Sequence, residues 1–135
     1  MKSLIKVTTE YSLLESMIKI DELMSFCKEN NISACGMCDN NLYKIIEFYE
    51  KCLKNNIKPL IGLEIKVTNL KLYLYAKNYS GYQNLIKLNT IAQQREISLF
   101  DLENLSDNLI LIIPYNSIEL FKEVKNIFKT IYFGY

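Results

Sequence analysis

Ile32-Ser33-Ala34-Cys35-Gly36-Met37-Cys38 is a run of small and apolar residues, with Leu42–Lys54 behind it and Leu60-Ile61-Gly62-Leu63-Glu64-Ile65-Lys66-Val67 after that. The first and third runs have strand length and contain β-branched residues. The middle one repeats apolar residues at helical spacing, with Leu42, Ile45, Ile46, Tyr49 and Leu53 expected to face inward. Strand, helix and strand in that order predict an α/β fold.

The same alternation extends in both directions. Upstream, Leu4–Val7 reads as a short strand. A turn-rich stretch through Glu15-Ser16 then leads to a helix near Lys19–Glu29, where Ile20, Leu23, Met24 and Cys27 make one apolar face. Asn30-Asn31 ends that helix and Asn55-Asn56 ends the next, whose start Asn40 or Asn41 would cap. Downstream, Thr68-Asn69 is a tight turn into Lys71–Ala76, a strand antiparallel to the one before it. Ser80 is placed to cap a helix reaching about Gln94. A short helix near Leu99–Leu105, a strand Leu109–Ile113 stopped by Pro114, and a helix over about Ser117–Phe128 complete the series. We expect one domain over residues 1–135, with alternating strands and helices and a mainly parallel sheet.

Composition closes off much chemistry. The 135 residues contain no histidine, so Ser-His and Cys-His pairs, imidazole bases and imidazole metal sites are excluded. The four glycines, Gly36, Gly62, Gly81 and Gly134, are too scattered for a phosphate-binding loop. Net charge is +1, so no strong field favours nucleic acid, and Arg95 is the only arginine. No apolar run has the length of a membrane span or a signal peptide, which points to a cytoplasmic protein. Cys35-Gly36-Met37-Cys38 has C-x-x-C spacing, but it lies in a strand and lacks a second ligand pair. Cys27, Cys35, Cys38 and Cys52 therefore read as buried reduced thiols. The alternating Lys and Tyr of Lys71-Leu72-Tyr73-Leu74-Tyr75 read as a half-buried strand, not as a stacking platform for single strands.

Five motifs in order carry a family resemblance. Thr9-Glu10-Tyr11-Ser12-Leu13-Leu14-Glu15 resembles H-x-H-T-E-Y-S-L-L-D-G, which opens the polymerase and histidinol phosphatase (PHP) domain of bacterial DNA polymerase III alpha subunits. Ile20-Asp21-Glu22-Leu23 is similar to the helix that follows there. Asp39-Asn40-Asn41-Leu42-Tyr43 with Glu47-Phe48-Tyr49 is similar to T-D-H-G-N-L-Y-G-A-x-E-F-Y, one residue short. Ile57-Lys58-Pro59-Leu60-Ile61-Gly62-Leu63-Glu64 resembles G-I-K-P-I-I-G-x-E. Leu74-Tyr75-Ala76-Lys77-Asn78, Gly81-Tyr82 and Asn84-Leu85-Ile86-Lys87-Leu88 resemble L-L-A-K-N-x-x-G-Y-x-N-L-I-K-L. The match is specific over roughly residues 4–90 and looser beyond.

The resemblance implies part of a distorted PHP-type barrel and a segment of a DNA-directed DNA polymerase, a nucleotidyltransferase of DNA replication. Its partners would be the remainder of the polymerase chain and replisome subunits. Active members of the family bind a cluster of metal ions, mostly through His, and hydrolyse phosphoesters. At the corresponding positions this chain has Lys6, Thr8, Glu15, Asn40, Glu64 and Lys71. Lysines beside two carboxylates are a poor set of ligands for transition metals. The expectation is a degenerate metal site, no catalytic residue and no cofactor in this segment. Two alternatives stay open: a stand-alone metal-dependent phosphoesterase, and a detached interaction module. Apolar Ile131-Tyr132-Phe133 and uncovered strand edges further predict self-association. Across the old site, Lys6 or Lys71 is expected to pair with Glu64 or Glu15.

Overall fold

In a computed structural model, residues 2–4, 20–39, 42 and 45–134 are described, with the side chains of 2–4 and 39 left aside. The chain forms two compact units, Met1–Ile61 and Gly62–Tyr135.

In the first unit, β1 (Lys2–Leu4) pairs in parallel with β2 (Ile32–Asp39). Between them runs α1 (Ile20–Glu29), which buries Ile20, Leu23, Met24 and Cys27 as its periodicity predicts. Asn31 ends it with φ 57°, and Asn56 ends α2 (Ile45–Lys54) with φ 59°. After glycine, asparagine is the residue that takes this left-handed cap most readily, because its short polar side chain bonds locally. The asparagine before each cap ties down the last turn as well: Asn30 Nδ2 donates to the Phe26 carbonyl and Asn55 Nδ2 to that of Lys51, at 2.9 and 2.8 Å. The Ile57 N–H then reaches back to the Cys52 carbonyl at 2.8 Å and closes the end of α2.

The inward face of α2 differs from expectation. Ile45, Phe48 and Cys52 are buried, whereas Ile46, Tyr49 and Leu53 are exposed. The helix carries two apolar stripes about 100° apart, and hydrophobic spacing alone does not say which one meets the core. The candidate caps Asn40 and Asn41, and the stretch 5–19, lie outside the described residues.

The second unit is built on a mixed sheet. From Gly62 onward, β3 (Lys58–Val67) pairs antiparallel with β4 (Leu70–Ala76). β4 pairs antiparallel with β5 (Leu109–Pro114), and β5 pairs in parallel with β6 (Thr130–Gly134). The strand–helix alternation holds, but the sheet is mixed where a mainly parallel one is expected. The cause is the two-residue turn: Thr68 and Asn69 both have positive φ, 49° and 68°, so the chain doubles straight back.

One face of this sheet carries Leu63, Ile65, Leu72, Leu74, Leu109, Leu111 and Ile113. They pack in the core with Leu85 and Leu88 of α3 (Tyr79–Gln94) and Leu102 of α4 (Leu99–Leu105). The cap of α3 is Asn78 and not Ser80: extended Asn78 accepts the Gly81 N–H on Oδ1 at 3.0 Å, which places Ser80 inside the first turn. The helix expected over Ser117–Phe128 is instead a 3-10 segment (Tyr115–Leu120) followed by the single turn α5 (Phe121–Val124). Ser117, Leu120, Val124 and Phe128 still point inward. None of the described helices is long and apolar enough to cross a membrane.

Candidate functional site

Strand register decides which side chains can meet. Glu64 lies opposite Tyr73, Gly62 opposite Tyr75, and Lys66 opposite Lys71. These six share the face opposite the leucine core, because side chains alternate along a strand. Ile110 and Ile112 of β5 continue the face beside Tyr75 and Tyr73.

Glu64 is the buried carboxylate here. Its side chain is 7% exposed, and Oε1 has no hydrogen-bond partner among the described residues. Lys71 sits two residues before Tyr73, diagonal to Glu64, a separation that long side chains span. Its Nζ lies 3.7 Å from Glu64 Oε1. That is an ion-pair distance, beyond the 2.7–3.2 Å of an N–H···O hydrogen bond. The Lys71 side chain is half exposed, so only its acidic partner is taken out of water.

Of the six ligand-like positions, the structure thus brings Glu64 and Lys71 together. Lys6, Thr8, Glu15 and Asn40 lie outside the described residues, and with them the pairings of Lys6 and Glu15. Among the described residues no three His, Cys, Asp or Glu side chains converge as metal ligands.

The four thiols lie apart from this face, in the first unit. All four are buried and unbridged. Cys35 and Cys38 are three residues apart on β2, so they point to opposite faces of the strand and cannot chelate one ion side by side. Cys35 instead shares a sulfur hydrogen bond with Cys27 of α1. Burial raises Cys27 and drives Cys35 far above the ordinary thiol range, and it pushes Cys52 up to about 12. Such groups are poor nucleophiles near neutrality.

One charged constellation escaped the motif reading. Asp101, buried in the first turn of α4, accepts from Arg95 Nη1 and Nη2 at 2.7 and 2.9 Å, and from Ser98 N and Oγ at 2.9 and 3.0 Å. Ser98 Oγ in turn accepts the Asp101 N–H, which makes a capping box. The signal was present as Ser98-x-x-Asp101 three residues after the lone arginine. These donors hold the Asp101 carboxyl well below the usual carboxylate range, the Arg95 guanidinium first and the Ser98 N–H next. The cluster pins the α3–α4 connection and shows no orphaned group for a substrate.

The chain matches the PHP domain over residues 5–130, through both units. Relatives named DNA polymerase III subunit alpha are similar to this chain in sequence. One from Ureaplasma parvum is 38% identical over 116 residues, 84% of this chain and 12% of the relative. One from Halalkalibacterium halodurans is 36% identical over 123 residues, 83% of this chain and 11% of the relative. One from Staphylococcus aureus is 34% identical over 129 residues, 92% of this chain and 12% of the relative. The chain therefore spans 11–12% of the length of these relatives. With most of its length matched by that domain, the chain belongs to the PHP family.

Proposed function

We propose that this chain is a metal-free, structural PHP segment of a replicative polymerase alpha subunit, with DNA-directed DNA synthesis performed elsewhere in the parent chain. The observation that carries the reading is the set of polymerase III alpha relatives, similar over 83–92% of this chain. The donor set supports it. Metal-bound family members use mostly His, and this chain has none. Of the ligand-like positions within the described residues, one is a carboxylate and the other is a lysine directed at it. Such a set does not fit a cluster of divalent ions, because ligands must offer lone pairs and an ammonium group has none. The segment's partners would be the remainder of the polymerase chain and replisome subunits, in the cytoplasm.

The test is direct. The purified chain, incubated with single-stranded DNA or a generic phosphodiester and Mn²⁺, Zn²⁺ or Mg²⁺, is expected to release no product. Metal-dependent hydrolysis that disappears in Glu64→Ala would overturn the proposal and favour a phosphoesterase.

Self-association belongs to the same reading. Among the described residues β6 pairs only with β5, and it exposes Tyr132 and Phe133 beside an open strand edge. Light scattering is expected to show an apparent mass that rises with concentration. A constant monomer mass would remove this part.

A further inference from the structure

The lysine at the old ligand position has a role of its own. We propose that Lys71 is the resident counter-ion of Glu64, and that its ammonium closes this carboxylate to divalent cations; the inference rests on the metal-free reading above.

Three observations lead to it. First, Glu64 is buried, and its Oε1 has no hydrogen-bond partner among the described residues. A buried carboxylate in that condition needs a positive charge near it, and among the described residues Lys71 supplies one, with Nζ at 3.7 Å. Second, Lys71 lies directly opposite Lys66 across the hairpin. Like charges directly opposed on a sheet repel, which drives one ammonium off the axis of the pair. Glu64 is adjacent to both on the same face; both lysines are exposed, and Lys71 is the one whose ammonium comes within 3.7 Å of Glu64, while among the described residues no ion pair joins Lys66 to it. Third, the geometry is a point-charge contact and not a directed hydrogen bond. A compact, strongly hydrated ammonium on a flexible stem can neutralise a carboxylate in this way while its other donors stay in water, as the half-exposure of Lys71 permits. A second cation approaching Glu64 would meet that charge.

A double-mutant cycle in denaturant, run in EDTA, tests the pair. Lys71→Met is expected to lower the folding equilibrium constant about tenfold, since it strands the Glu64 charge. In the Glu64→Gln background the same change should have little effect, so the coupling is itself about tenfold. Lys71→Arg keeps a cation and should restore most of the loss. Lys66→Met, on the same face but outside ion-pair reach of Glu64, serves as the control and should show no coupling. Coupling below about twofold, or equal coupling from Lys66 and Lys71, overturns the inference.

Bound-metal analysis of the purified wild-type chain reads the metal-free proposal separately. Stoichiometric zinc, manganese or iron would sink that proposal, whatever the cycle shows. The same chain should keep its unfolding midpoint in millimolar Mn²⁺, while Lys71→Met should gain from it. A wild-type midpoint that rises with Mn²⁺ would show that the ammonium does not close the site.

Discussion

Gly81→Ala is expected to destabilise the chain by about 3 kcal/mol, read as a shift of the denaturant midpoint with an unchanged slope. On intrinsic grounds the change should help, because Gly81 sits in the first turn of α3 and alanine is favoured over glycine in helix interiors by about 1 kcal/mol. Packing reverses the sign. A Cβ at this position would run into the carbonyl oxygen of Asn108 and approach the Ala76 Cα to 3.3 Å. Both obstacles are backbone, so neither can yield by rotating a side chain. The Asn108 carbonyl is also committed, because it accepts the Lys77 N–H at 2.9 Å. Asn108 itself is held at φ 63°, with its Oδ1 accepting from Asn78 Nδ2 at 3.1 Å. Making room for one methyl group would therefore disturb the helix cap, the strand end and the αL residue together, and overpacking against such a site costs typically 1–3 kcal/mol or more. A stabilised Gly81→Ala variant would mean that α3 slides away from the sheet at little cost.

Asp101→Asn is the second large effect, about 2–3 kcal/mol at neutral pH, since the amide turns a donor toward groups that are all donors. The pH dependence follows from the direction of the shift. Asp101 is depressed in the folded state, so its contribution is fully present above the unfolded carboxylate value of about 4 and is lost as pH falls through its lower folded value. In acid titrations of stability, the gap between wild type and Asp101→Asn should be widest near neutrality and should narrow steadily below about pH 4. A gap that stays constant down to strongly acid pH would show that the Asp101 charge contributes nothing. Arg95→Ala should have a smaller effect, because Arg95 is more than half exposed and the two Ser98 donors remain on the carboxylate.

Where a single force sets the local structure, these elements were legible in the residues. The apolar spacing of α1, the asparagines that stop α1 and α2, and the Thr68-Asn69 hairpin all follow from short-range sterics and periodicity. Ile46, Tyr49 and Leu53 misled because a helix with two apolar stripes is resolved only by what it packs against. The Ser117–Phe128 segment misled for another reason: its inward residues keep a helix-like spacing while the backbone is wound more tightly. Ser80 looked like a cap because serine often is one, yet Asn78 reaches the same turn first. At the candidate site, no pattern within the chain singled out Glu64 and Lys71; the resemblance did, and the hairpin register then explains why they meet. The Asp101 clamp needs a partner six residues away, outside the usual reach of capping signatures.

The buried thiols give each half of this chain a different chemical visibility. Cys27, Cys35, Cys38 and Cys52 all lie within Met1–Ile61, and the second unit contains no cysteine. Alkylation requires both access and ionisation; burial denies the first to all four thiols and suppresses the second for Cys27, Cys35 and Cys52. A thiol reagent added to the native chain therefore reports on the opening of the elements that bury these cysteines. The labelling rate is a clock for that opening, and wild-type protein carries it without any engineered probe.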